Sequence, residues 1–222
     1  MLQKEKRKVI VFCAHPDDEV IGPGGTLLKY AKEGIETHVV IFSGGEKSHA
    51  HYHKDKLIKL RKKESDAAGK TLKVSKIHYF YLNDMKLITQ AKTPEIRKKV
   101  EQLILKIKPE KIFTHAIDDV LYIDHRGVHD CVVETVDKIR KEKNIRFNIY
   151  TFNIWTINIR KRDAPKLFVD ISLEFKTKLQ ALQKFKSQRL ALLQLTPFVW
   201  IKALTAGFKN DCKFAEEFYK IR

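Results

Sequence analysis

Proline and glycine are scarce in this 222-residue sequence, with 6 and 9 residues. Neither gathers into a stretch of linker composition, so no boundary is expected and residues 1–222 read as one domain. Cysteine is scarcer. Cys13, Cys131 and Cys212 are odd in number and unpaired in spacing, so no disulfide framework is expected, and a reducing, cytoplasmic setting is. No apolar run approaches the roughly 20 residues of a membrane span, so no transmembrane segment is expected. The stretch Met1 to Lys8 is charged where a secretory leader would carry an apolar core. Internal repeats and low-complexity segments are absent. So are the zinc-finger and ribonucleoprotein motifs, and nucleic acid is not an expected partner.

Acidic residues are outnumbered, 27 against 44 lysines and arginines, which gives a formal net charge of +17. Such an excess attracts nucleic acid, anionic headgroups and phosphorylated small molecules. Its densest cluster is Lys54, Lys56, Lys59, Arg61, Lys62 and Lys63. It lies on a helical pattern whose other face carries Leu57, Leu60 and Ala67, and reads as a solvated face.

Hydrophobic residues make up 43% of the chain, enough to exclude disorder and to build the core of an α/β domain. Val9 to Cys13 is a β-favouring apolar run of the kind found in a buried parallel strand. Pro16 ends that strand near Ala14. The residues that follow, His15-Pro16-Asp17-Asp18-Glu19, fall at the carboxyl end of the strand, where open α/β sheets bind ligands. His15 and Asp18, three residues apart on a tight loop, can reach one metal ion, while Asp17 points elsewhere and serves as a base. Helix capping would need only one aspartate and no preceding His-Pro. Gly22-Pro23-Gly24-Gly25 has the wrong spacing for a dinucleotide loop and reads as close-packing glycines.

Ala14-His15-Pro16-Asp17-Asp18-Glu19 resembles the signature of the PIG-L (LmbE-like) family of zinc-dependent N-deacetylases. Further stretches extend the resemblance along nearly the whole chain. They are Arg61 and Glu64 before Ala67-Ala68; Ile123-Asp124-His125-Arg126; Phe168 to Ser172 with Lys178 and Ser187-Gln188; and Phe214 to Phe218. The resemblance implies a three-layer Rossmann-like fold with a mostly parallel sheet. It implies one Zn²⁺ held by His15, Asp18 and His125, with Asp17 as catalytic base and Arg61 and Asp84 meeting substrate hydroxyls or a phosphate. Imidazole favours zinc over magnesium, with iron or cobalt as substitutes. Three residues before His125 many members carry a second histidine that steadies the oxyanion. This sequence has Tyr122 there, which can donate a hydrogen bond but cannot act as an imidazolium acid.

The implied substrate is a small N-acetylglucosamine-type sugar or glycoconjugate, an anionic one suiting the charge. Two alternatives stand beside it: hydrolysis of another amide (an aminoglycoside, thiol-glycoside or nucleotide-sugar), and a basic nucleic-acid- or membrane-binding protein on a degenerate enzyme fold.

The remaining elements are expected as follows. Strands lie at 37–42, 76–82, 111–115, 147–152 and 167–171. Helices lie at 54–70, from Thr93-Pro94 to before Pro109, at 126–141, and as one long helix over 174–195. The aromatic stretch after Pro197 is expected to be short and to pack over the sheet or against a neighbouring subunit, a homo-oligomer being one outcome. Asp118 or Asp124 is expected to orient His125. His115 and His129 are expected to pack or hydrogen-bond. The alternating His49, His51 and His53 read as an exposed loop.

Overall fold

The computed structural model describes residues 6–48, 53–119, 123–155 and 164–222. A seven-stranded sheet runs through it in the order β3-β2-β1-β4-β5-β7-β6. The strands are β1 (Lys8–Cys13), β2 (Glu36–Ser43), β3 (Lys76–Leu82), β4 (Lys111–His115), β5 (Asn148–Phe152), β6 (Lys166–Asp170) and β7 (Ala215–Lys220). The first five are mutually parallel, and β7 lies antiparallel between β5 and β6. The mostly parallel α/β architecture expected from the sequence is therefore present.

Side-chain alternation along β1 builds both faces of the sheet. Val9, Val11 and Cys13 enter one buried apolar cluster, while Ile10, Phe12 and Ala14 enter the other. The first cluster is closed by α2 (Gly24–Lys32), α7 (Phe175–Leu182) and α8 (Arg189–Lys209), the second by α5 (Pro94–Ile107) and α6 (Ile123–Lys143). From β1 the chain winds outward to β2 and β3, then returns to β4 on the other side of β1. The carboxyl ends of β1 and β4 therefore flank the topological switch point, where such sheets bind ligands.

α5 begins with Pro94 in its first turn and ends at Lys108 in the left-handed region, just ahead of Pro109. α3 (Lys54–Thr71) covers the expected basic helix, but its buried stripe is Leu57, Arg61, Glu64, Ser65 and Ala68 rather than Leu57, Leu60 and Ala67. Arg61 and Ser65 of that stripe face the motif loop, while Ala68 enters the apolar core.

The region after residue 174 corrects the sequence expectation. The long helix over 174–195 breaks, because Glu64 of α3 accepts the Ser187 backbone N–H at 2.8 Å and its hydroxyl at 2.6 Å and pins a 3₁₀ turn at Lys186–Gln188. The chain then continues as α8 straight through Pro197, which sits exposed and offers no N–H to the Leu193 carbonyl. The combined stretch Lys186–Lys209 is long and apolar enough to cross a membrane by length and composition, contrary to the expectation. One face of it, Leu192, Leu195, Val199 and Ala203, is packed into the core. Beyond α8 the chain returns as β7, a strand not expected from the sequence.

Candidate active site

The loop after β1 is short and over-determined. The His15 N–H donates to Asp18 Oδ2 at 2.8 Å, and the Asp17 N–H to Glu19 Oε2 at 2.8 Å. Asp17 carries a left-handed backbone, with φ of 113°, and begins the short helix α1 (Asp18–Ile21) by accepting from Val20 and Ile21 N–H. A non-glycine residue held there is strained, and such strain persists where the surroundings enforce it. Two neighbours enforce it here. Glu19 is fully buried between the Asp17 N–H and the Ser65 hydroxyl, and burial pushes its carboxyl up to about 8. Arg61 of α3 donates to Asp17 Oδ2 at 2.9 Å and to the carbonyls of Pro16 and Gly45.

The metal candidates converge. Donor atoms of His15, Asp18 and His125 all lie within 4.8 Å of one another, and all three residues are buried. Each imidazole is oriented from its far nitrogen. His125 donates Nδ1–H to Asp119 Oδ2 at 2.8 Å, which turns Nε2 toward Asp18 Oδ1 at 3.6 Å. His15 Nε2 lies 3.0 Å from Asp84 Oδ1 and 3.5 Å from Asp124 Oδ2, and its Nδ1 faces Asp18 Oδ2 at 3.8 Å. A carboxylate behind each ligating histidine is the usual support of a metal site.

Two other acidic groupings, around His115 with Asp119 and around His15 with Asp84 and Asp124, share these histidines. Both oxygens of each of their carboxylates are already engaged by backbone donors, whereas Asp18 spends only Oδ2 on the His15 N–H and keeps Oδ1 toward His125. Asp119 accepts Ile154 and Trp155 N–H, Asp124 accepts Met85 and Leu87 N–H, and Asp84 accepts Lys47 and Met85 N–H. The set His15, Asp18 and His125 therefore fits one divalent ion best.

Charge at the site agrees with that fit. Burial would lower the His15 imidazole, but hydrogen bonds to Asp124 and Asp84 and the charge of Asp18 carry it up to about 10, so the cluster is poised to hold positive charge. Burial would raise Asp18, yet His125, His115 and His15 hold it well below the usual carboxylate range. Asp84 is lowered to about 2 against its own burial by His15 and the Lys47 N–H. Asp17 moves the other way: burial lifts it to about 6, with Arg61 opposing. His115 is buried and stacks on His125 with ring centroids 3.9 Å apart. It accepts the Ala14 N–H, and burial and the neighbouring His125 lower it to about 4. His129 hydrogen-bonds the His115 carbonyl at 2.7 Å, off the site.

A cleft of about 290 Å³ opens over this cluster. His15, Asp17, Asp18, Arg61, Asp84 and His125 all border it, together with Trp155 and Leu195. The structure thus gathers every described site residue expected from the sequence. Arg61 reaches the cleft chiefly as the partner of Asp17, and Asp84 as the partner of His15. The expected donor Tyr122 and the histidines His49 and His51 lie outside the described residues, and His53 is exposed at the start of α3. The orienting carboxylate on His125 is Asp119, not Asp118 or Asp124. Asp124 instead serves His15 and the backbone of the 85–87 loop. The pair Asp118-Asp119 at a strand end was the only sequence signal for it.

The chain belongs to the PIG-L family: the family model described as GlcNAc-PI de-N-acetylase matches residues 10–136. A Bacillus cereus protein described as a probable N-acetyl-alpha-D-glucosaminyl L-malate deacetylase 2 is 25% identical over 196 residues, covering 86% of this chain and 88% of that protein. Among solved structures, the N,N'-diacetylchitobiose deacetylase of Pyrococcus horikoshii superposes with a TM-score of 0.82 at 23% identity, covering 98% of this chain and 84% of that one. GalB, the 4-carboxy-2-hydroxymuconate hydratase of Pseudomonas putida, also superposes with a TM-score of 0.82, at 18% identity, over 97% of this chain and 96% of that one. A hydratase and a deacetylase thus share the fold, and the reaction has to be argued from the site.

Proposed function

We propose that the protein is a metal-dependent N-deacetylase that hydrolyses the N-acetyl group of an N-acetylglucosamine-type sugar or glycoconjugate. The observation that carries this reading is the division of labour among neighbouring carboxylates. Asp18 faces both oriented imidazoles, while Asp17, one residue away, is turned to Arg61 and the cleft. Held by His15, Asp18 and His125, a zinc ion would polarise the amide carbonyl and acidify a water. Asp17 takes a proton from that water as its oxygen bonds the acetyl carbon. The carbon–nitrogen bond then breaks, Asp17 returns the proton to the leaving nitrogen, and a free amine and acetic acid result, the acid losing its remaining proton to solvent as acetate. With its carboxyl near 6, Asp17 is ionised at neutral pH and basic enough for the task. Tyr122 is assigned as a neutral hydrogen-bond donor to the oxyanion, and Asp84 and Arg61 as the polar rim that meets sugar hydroxyls. The three free cysteines suit a reducing, cytoplasmic setting.

The test is acetate release from N-acetylated sugars, aminoglycosides and nucleotide-sugars by zinc-loaded protein, with Asp17→Asn in parallel. Asp17→Asn is expected to keep one equivalent of zinc by elemental analysis and to lose at least about 10²-fold in kcat. Loss of zinc along with activity would make Asp17 a ligand and overturn its role as base. Release confined to a non-glucosamine amide would reassign the substrate.

A further inference from the structure

α8 packs into the domain by one face, yet its other face is also apolar. Leu190, Leu193, Trp200, Ile201, Leu204 and Phe208 are all exposed, Phe208 at 90% and Leu190 at 77%. At 3.6 residues per turn all six fall on one side of the helix, on a single stripe about 27 Å long at helical rise. A contiguous exposed stripe of this size on a protein that carries so much charge marks a contact surface.

The charge around the stripe identifies what fits it. Residues 175–210 contain seven lysines and arginines and no aspartate or glutamate. Lys184, Lys186 and Arg189 stand exposed at one end of the stripe and Lys209 and Lys213 at the other. Of these, Lys209 is paired with Glu217. A second copy would bring like charge against like, and Pro197, exposed in the middle of the stripe, interrupts the regular knobs that a helix pair needs. An anionic surface that also accepts apolar side chains matches both features, with Trp200 and the flanking basic groups seated at headgroup level.

We infer that α8 is a peripheral membrane-docking element, lying in the plane of an anionic lipid surface with its exposed apolar stripe inserted and its flanking lysines and arginine on the headgroups. The inference stands apart from the proposed activity. None of the stripe residues borders the candidate active site.

The test is co-sedimentation of the full-length, zinc-loaded protein with vesicles of phosphatidylcholine containing one-third phosphatidylserine, against vesicles of phosphatidylcholine alone. Binding to the anionic vesicles is expected, at least about tenfold stronger than to the neutral ones, and weakening as salt shortens the Debye length. Leu204→Ser with Phe208→Ser is expected to cut it at least about tenfold through lost apolar insertion, with acetate release from soluble substrate unchanged. Lys184→Gln with Lys186→Gln is expected to remove roughly fivefold per charge and to flatten the salt dependence. Absence of binding to anionic vesicles would overturn the inference. So would a dimeric mass by light scattering that Leu204→Ser with Phe208→Ser returns to monomer, since the stripe would then be covered by a second copy.

Discussion

Arg61 shows how one side chain connects geometry to titration. Its guanidinium bonds Asp17 and the Pro16 and Gly45 carbonyls, and Gly45 has a left-handed φ of 66° with no room for a side chain beside it. Burial lifts Asp17 to about 6 while Arg61 pulls it down. A base works only when ionised, so activity falls as pH drops through this value. A bound cation lowers it further, which places the acid limb of kcat/KM at or below about pH 6. Arg61→Met removes the opposing charge. The limb is then expected to move up by about one unit or more, with a larger loss at pH 6 than at pH 8. A pH–rate profile checks this, and an unmoved limb would reduce Arg61 to a substrate contact. Asp119 acts on the metal side. Asp119→Ala unties His125 Nδ1 and the Ile154 and Trp155 amides, and is expected to weaken zinc affinity about 10–100-fold in a competition titration with a chromophoric chelator.

Individual elements earn their positions through buried polar contacts as much as through apolar packing. Lys178 of α7 is buried and donates to Glu216 of β7 at 2.7 Å, to Ile21 O at 2.8 Å and to Gly22 O at 3.0 Å. Glu216 in turn accepts Gly25 and Thr26 N–H at the start of α2. The pair therefore clamps the turn between α1 and α2, directly behind the metal loop. Lys178→Met leaves the Glu216 carboxylate buried without its counter-charge, and the expected cost is about 3–5 kcal/mol, read as a lowered midpoint in urea unfolding. An unchanged midpoint would show that the two N–H groups of Gly25 and Thr26 suffice for Glu216. The expected helix over 174–195 failed at this scale. Its apolar spacing is real, but one glutamate on α3 captures Ser187 and outweighs local helix propensity.

Across the molecule, the +17 charge is unevenly used. The cleft itself is lined with acids, since Asp17, Asp18, Asp84 and Asp124 crowd around His15 and His125. Arg61 and a protonated His15 offset only two of these four buried carboxylates, so removal of a bound cation is expected to be a stability event as well as an activity event. At zinc about 100-fold above its dissociation constant, binding contributes about 2.7 kcal/mol. Chelation is therefore expected to lower Tm by about 5–10 °C by calorimetry while far-UV circular dichroism stays unchanged. A Tm indifferent to chelator would mean that the site holds no resident ion.

Much was legible before folding wherever the physics is local. An apolar β-favouring run that meets Pro16 must end there, and His15, Asp17 and Asp18 on the following turn can then act together without help from distant residues. The parallel strands and the helix from Pro94 are readable for the same reason: alternation, helical spacing and proline geometry act within a few residues. The family resemblance added His125 by position in a motif, not by any local force. What the tertiary structure alone decided is which group answers which. Asp119 rather than Asp118 is on His125 within one loop, while Arg61 on Asp17, Asp124 on His15, Glu64 on Ser187 and Glu216 on Lys178 are pairings across long chain separations. They arise because burial makes an unpaired polar group costly and only the packed fold brings a particular partner within reach.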